Sequence, residues 1–125
     1  NMPSPDDRPL GDGRALSAAL ERLARTIDLR AEGADPKASW TARLLTAGPH
    51  LCAKKLGEEA VEAALALVSQ PKDAVAAEAA DVVYHLLVAL RSRGVALDDL
   101  AERLCAREGM SGLGEKAGRC NPGDA

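Results

Sequence analysis

From Leu16 onward the apolar residues fall at helical intervals. Leu16, Leu20, Leu23 and Ile27 share one face, which predicts a first helix over about residues 14–30. Gly33 and Asp35-Pro36 break it. Ser39 is suited to cap a short second helix that starts at Trp40 or Thr41 and stops at Gly48-Pro49. Pro49 fits the first turn of a third helix running to about Ser69, with Leu51, Leu56, Val61, Leu65 and Val68 expected on its buried side. Gln70-Pro71 makes a tight link. A fourth helix, with Asp73 near its positive end, runs to Arg93 and stops at Gly94. A link this short forces the third and fourth helices to pack antiparallel. A fifth helix begins at Leu97 or Asp98 and carries Leu100 and Leu104. No stretch alternates as a strand would, and no internal repeat is visible. The expected fold is all-α, with four to five helices.

Composition sharpens this picture. Alanine and leucine dominate, Phe is absent, and Trp40 and Tyr84 are the only aromatic residues. Small aliphatic side chains of this kind build helical cores rather than β-sandwiches. The 125 residues make one domain, small enough to gain from oligomerisation. Residues 1–13, rich in proline and aspartate, are expected to be a disordered extension, 14–107 the helical domain and 108–125 a glycine-rich tail. Asn1 ahead of Met2 reads as an addition to the native start. A net charge of −3 offers no bulk electrostatic case for nucleic acid or an anionic membrane. No apolar run approaches the ~20 residues of a membrane span, and no signal-peptide pattern opens the chain. Cys52, Cys105 and Cys120 are odd in number and form no C-x-x-C. Free thiols and a cytoplasmic location are therefore expected.

Candidate chemistry lies in two acidic clusters, Glu58-Glu59-x-x-Glu62 on the third helix and Glu78-x-x-Asp81 on the fourth. Carboxylates three or four positions apart share a helical face, roughly 5–6 Å between Cβ atoms. Like charges beside a core-facing stripe repel one another and lose hydration, so a cation should compensate them. In a hairpin turning near residue 71, Glu62 stands nine positions before the turn and Glu78 seven after it. At about 1.5 Å rise per residue the pairs lie at similar heights, with Glu58 or Glu59 facing Asp81. Four carboxylates then make an oxygen cage suited to Mg²⁺ or Mn²⁺. Glu59, Glu62, Glu78 and Asp81 are the expected ligands. Glu58 is either a further ligand or the group that orients an attacking water.

The run Lys54-Lys55-Leu56-Gly57-Glu58-Glu59-Ala60-Val61-Glu62, followed by Glu78-x-x-Asp81, resembles the metal motif of the MazG-like all-α nucleoside triphosphate pyrophosphohydrolases. Within that superfamily it is most similar to the phosphoribosyl-ATP pyrophosphohydrolase family of histidine biosynthesis. The resemblance extends to Ser39-Trp40-Thr41-Ala42-Arg43-Leu44-Leu45, to Gly48, to Tyr84-His85-Leu86-Leu87 and to Arg93-Gly94-Val95-x-Leu97-Asp98-Asp99. Ser111-Gly112-Leu113-x-Glu115-Lys116-Ala117-x-Arg119 is similar to a tail that some members carry. Trp40 stands where the family more often shows Tyr, and Gly114 where an acid is expected. The resemblance implies a helical bundle completed by dimerisation, and Mg²⁺-dependent hydrolysis of phosphoribosyl-ATP to phosphoribosyl-AMP and pyrophosphate. The cysteine and histidine ligands of a fused cyclohydrolase are absent, so a stand-alone hydrolase is expected.

The remaining polar residues divide less sharply. Lys54, Lys55 and Arg43 are candidates to hold substrate phosphate, with Lys116 and Arg119 as further candidates for a second anion. Arg91 and Arg93 suit a helix C-terminus without any other role. His85, four after Asp81, is either oriented by that acid near the metal or a buried histidine bonded to its neighbour; His50 reads as surface. Trp40 and Tyr84 either stack on adenine or plug an aliphatic core, and Cys52 reads as a small core residue. Three rivals frame the function. A house-cleaning nucleotide pyrophosphohydrolase would share the metal motif. A di-metal redox bundle needs Glu-x-x-His, which neither His50 nor His85 completes. A helical interaction module would need no metal at all.

Overall fold

A computed structural model describes residues 5–110; the tail candidates Gly114, Lys116, Arg119 and Cys120 lie outside the described residues. Five α-helices follow a single 3₁₀ turn at Pro5–Asp7: α1 Arg14–Ala31, α2 Trp40–Ala47, α3 Pro49–Ser69, α4 Lys72–Ser92 and α5 Leu97–Met110. No strand occurs among the described residues. The 3₁₀ turn precedes α1, and α5 ends at Met110.

Local chemistry accounts for the boundaries. Ser39 Oγ accepts the Ala42 N–H at 3.1 Å and starts α2. Gly48, at φ 95°, ends α2 and opens α3 in one residue. Its N–H reaches the Leu44 carbonyl and its carbonyl accepts the Cys52 N–H, a reversal that a side chain would strain. Gly94, at φ 68°, lets Val95 donate back to the Leu90 carbonyl and so closes α4. The Asp99 carboxylate then accepts the Ala96 N–H at 2.9 Å, capping α5.

The antiparallel α3–α4 hairpin is the spine, and α1 and α2 pack across it. Ile27, Leu44, Cys52, Leu87 and Val88 form the buried core, with Leu20, Leu23, Leu45, Leu51, Val83, Tyr84 and Leu97 packed around them. All of this lies toward the end of the hairpin away from its turn. Toward the turn the expected burial fails: Val61 and Leu65 are each 60% exposed and Val68 82%. The reason is helical phase. The inward positions of α3 include Cys52, Leu56, Glu59, Ala63 and Ala66, spaced by three and four, and Val61 and Leu65 fall on other sides of the cylinder at about 100° per residue. Leu16 and Leu104 are likewise exposed. Cys52 is a buried free thiol as expected. No helix among the described residues is long and apolar enough to cross a membrane.

Candidate metal centre

The seam of the hairpin changes character halfway along. Near α2 it is apolar; one helical turn past Leu56, α3 presents Glu59 inward, and α4 answers with Glu78 and Asp81. Alanines at positions 60, 63, 64 and 66 of α3 and 76, 77, 79 and 80 of α4 leave room for long carboxylates between the two helices. One oxygen each from Glu59, Glu78 and Asp81 lies within 4.8 Å of the other two. Glu59 and Glu78 are half-buried, and Asp81 is exposed.

Electrostatics mark this trio as incomplete in protein groups alone. Loss of hydration pushes the Glu59 carboxyl above the usual carboxylate range; the charge of Glu62 and then that of Asp81 add to it, and His85 opposes it. Glu62, whose charge acts on Glu59, borders the trio that it was expected to complete as a ligand. Glu78 Oε2 is buried and has no hydrogen-bond partner. A buried anionic oxygen without a donor costs about 1–3 kcal/mol or more, and a hard divalent cation would relieve both that deficit and the repulsion. The donor set fits such an ion.

The other expected site residues separate. Glu58 turns away from the trio and pairs with Lys55 at 3.0 Å, which holds its carboxyl below the usual range. Its carboxylate therefore lies outside the trio. Lys55 is raised by the same bond and by the charges of Glu59 and Glu62. Its ammonium lies 5.8 Å from the Trp40 ring, as does the Arg43 guanidinium. A basic and aromatic surface thus adjoins the acids one turn along α3. Lys54 is exposed.

His85 is buried, 8% exposed, and bonds the Asp81 main-chain carbonyl through Nδ1 at 2.9 Å, not the carboxylate. Tyr84 sets its ring edge-on to His85, and its hydroxyl bonds Thr41 Oγ1, tying α4 to α2. That bond spans 43 positions, and nothing in the local pattern announces Thr41. Arg91 does more than face a helix dipole: it donates to Asp28 of α1 at 2.8 Å. A groove lined by Ile27, Leu87, Leu90 and Val95 lies beside that pair, away from the acids.

Fold and acids together define a class, an all-α chain with clustered carboxylates between two antiparallel helices. The model of one family, phosphoribosyl-ATP pyrophosphohydrolase, matches residues 20–108. Curated relatives named phosphoribosyl-ATP pyrophosphatase agree. One from Cereibacter sphaeroides (strain KD131) is 56% identical over 80% of this chain and 96% of its own length. Another from Caulobacter vibrioides is 56% identical over 83% of this chain and 95% of its own. A third, from Jannaschia sp. (strain CCS1), is 54% identical over 80% and 97%. The chain belongs to the phosphoribosyl-ATP pyrophosphohydrolase family.

Proposed function

We propose that this protein hydrolyses phosphoribosyl-ATP to phosphoribosyl-AMP and pyrophosphate, a step of histidine biosynthesis, in the cytoplasm. The observation that carries the reading is the convergence of Glu59, Glu78 and Asp81 from facing helices, in a chain of this family. These three acids would hold Mg²⁺, or Mn²⁺ in its place, which would supply charge neutralisation of the triphosphate and polarisation of the phosphoryl oxygen.

The chain's own side chains do the rest. Lys55 and Arg43, beside Trp40, bind phosphate oxygens and place the triphosphate over the acids, each charge-assisted bond contributing about 1.5–3 kcal/mol. Lys54 adds charge at the rim. Glu62, exposed and three positions after Glu59 on the same helix, receives the proton that the attacking water releases and passes it to solvent. A second copy of the chain covers Val61, Leu65 and Val68, so the working unit is a homodimer.

The test is product analysis by mass with pure protein, Mg²⁺ and phosphoribosyl-ATP, beside ATP and dCTP at equal concentration. Phosphoribosyl-AMP and pyrophosphate should form far faster than any product from the plain triphosphates. A plain nucleoside triphosphate cleaved faster would replace this substrate with a house-cleaning role. Light scattering should give twice the mass of one chain.

A further inference from the structure

His85 is the one buried polar side chain of the site that metal ligation and phosphate binding leave without work. On α4 the residues Glu78, Asp81 and His85 are separated by three and four positions, so all three lie on one face. The imidazole sits one helical turn beyond Asp81 on α4. Its Nδ1 meets a main-chain carbonyl, which can only accept, so Nδ1 carries the hydrogen. In the neutral ring that leaves a lone pair on Nε2. Nε2 is buried and bonds no protein group, and no carboxylate oxygen reaches it. Tyr84, edge-on at 4.9 Å and anchored to Thr41, holds the ring in this pose.

Resting on the hydrolase reading above, we infer that His85 is a positioning residue whose Nε2 accepts a hydrogen bond from the attacking water and aims its oxygen at phosphorus. This is the task that the sequence offered to Glu58, which Lys55 has drawn aside. The water oxygen forms the new P–O bond, and the anhydride P–O bond breaks with its electron pair leaving on pyrophosphate. The second hydrogen of the water goes to Glu62 as a proton; the imidazole takes none.

Two variants and one spectrum test this. His85→Leu keeps bulk without an acceptor, and His85→Gln restores an acceptor oxygen near the place of Nε2. The Leu variant should lose about 10- to 100-fold in kcat, the range for groups that orient others, with KM and the Mg²⁺-induced rise in Tm unchanged. The Gln variant should recover a large part of the loss. In the metal-free wild-type protein, ¹⁵N spectra of the ring should show Nδ1–H and a bare Nε2. An Nε2–H tautomer overturns the inference, and so does a folded Leu variant within twofold of wild-type kcat. Equal losses in Leu and Gln make the role structural and also overturn it. Loss of the Mg²⁺ shift in the Leu variant makes His85 a ligand instead. If wild type ignores phosphoribosyl-ATP but cleaves another nucleoside triphosphate, the substrate reading fails alone, and the same kcat comparison on that substrate decides the role of His85.

Discussion

The two ends of the α3–α4 hairpin have the same secondary structure and opposite purposes. Away from the turn, Cys52 and Val88 are 2% and 0% exposed, sealed by Ile27 of α1 and Leu44 of α2. Toward the turn, Glu59 and Glu78 bring carboxylates to the seam beside buried Ala66, and Val61, Leu65 and Val68 lie open. One end has apolar burial as its driving force, roughly 25 cal/mol for each Å² covered. The other gathers like charges that repel one another and strip each other of water. Stability and chemistry are thereby separated along one pair of helices. A destabilised acidic end is tolerable because the sealed end holds both helices in register.

That separation predicts different phenotypes from the two ends. The largest effect should come from the acids: Asp81→Asn or Glu59→Gln should reduce kcat at least ~100-fold, beyond the 10- to 100-fold typical of groups that only orient ligands. Far-UV circular dichroism should stay unchanged, and the Mg²⁺-induced rise in Tm should shrink. A loss of helicity in either variant would break the comparison. At the sealed end, Leu44→Ala should cost about 2–5 kcal/mol in urea unfolding, since its side chain is wholly buried. Activity per folded molecule should hardly move.

A smaller effect is expected where the ends meet. Thr41→Val leaves the Tyr84 hydroxyl without its partner and should cost about 1–3 kcal/mol of stability. It should also loosen the ring of His85, so a modest fall in kcat should accompany it.

The subtlest test is the pH dependence of metal-free stability. The Glu59 carboxyl is raised in the folded protein, so the fold binds that proton more tightly than the unfolded chain does. Its contribution therefore favours folding at low pH. Stability falls as pH rises from the ordinary carboxyl value, about 4.3, through the higher folded value. Glu59→Gln should thus be at least as stable as wild type at pH 7 without metal, with the advantage fading toward pH 4. A variant less stable than wild type at pH 7 would show that Glu59 is held by favourable contacts. Saturating Mg²⁺ should reverse the order, because wild type gains more of the ion's binding energy.

The helices and their ends were legible because each is a local matter. Ser39, Gly48, Pro49 and Gly94 act on neighbours within four residues, and apolar spacing of three and four reports a helix wherever it sits. The two-residue link Gln70-Pro71 then forces an antiparallel hairpin and brings the two acid clusters to one height.

Choices among adjacent residues belong to the tertiary structure. Whether Glu58 or Glu59 faces Asp81 is a rotation of about 100°, and burial of Cys52 and Ala66 sets it. The same rotation exposes Val61, although its spacing alone reads as core. Lys55 could reach either acid, and it settled on Glu58 once Glu59 was turned inward. Contacts such as Thr41 with Tyr84 and Asp28 with Arg91 join residues 43 and 63 positions apart. Their cause is proximity after folding. Periodicity specifies that a face exists, and only the packed neighbour determines which way it points.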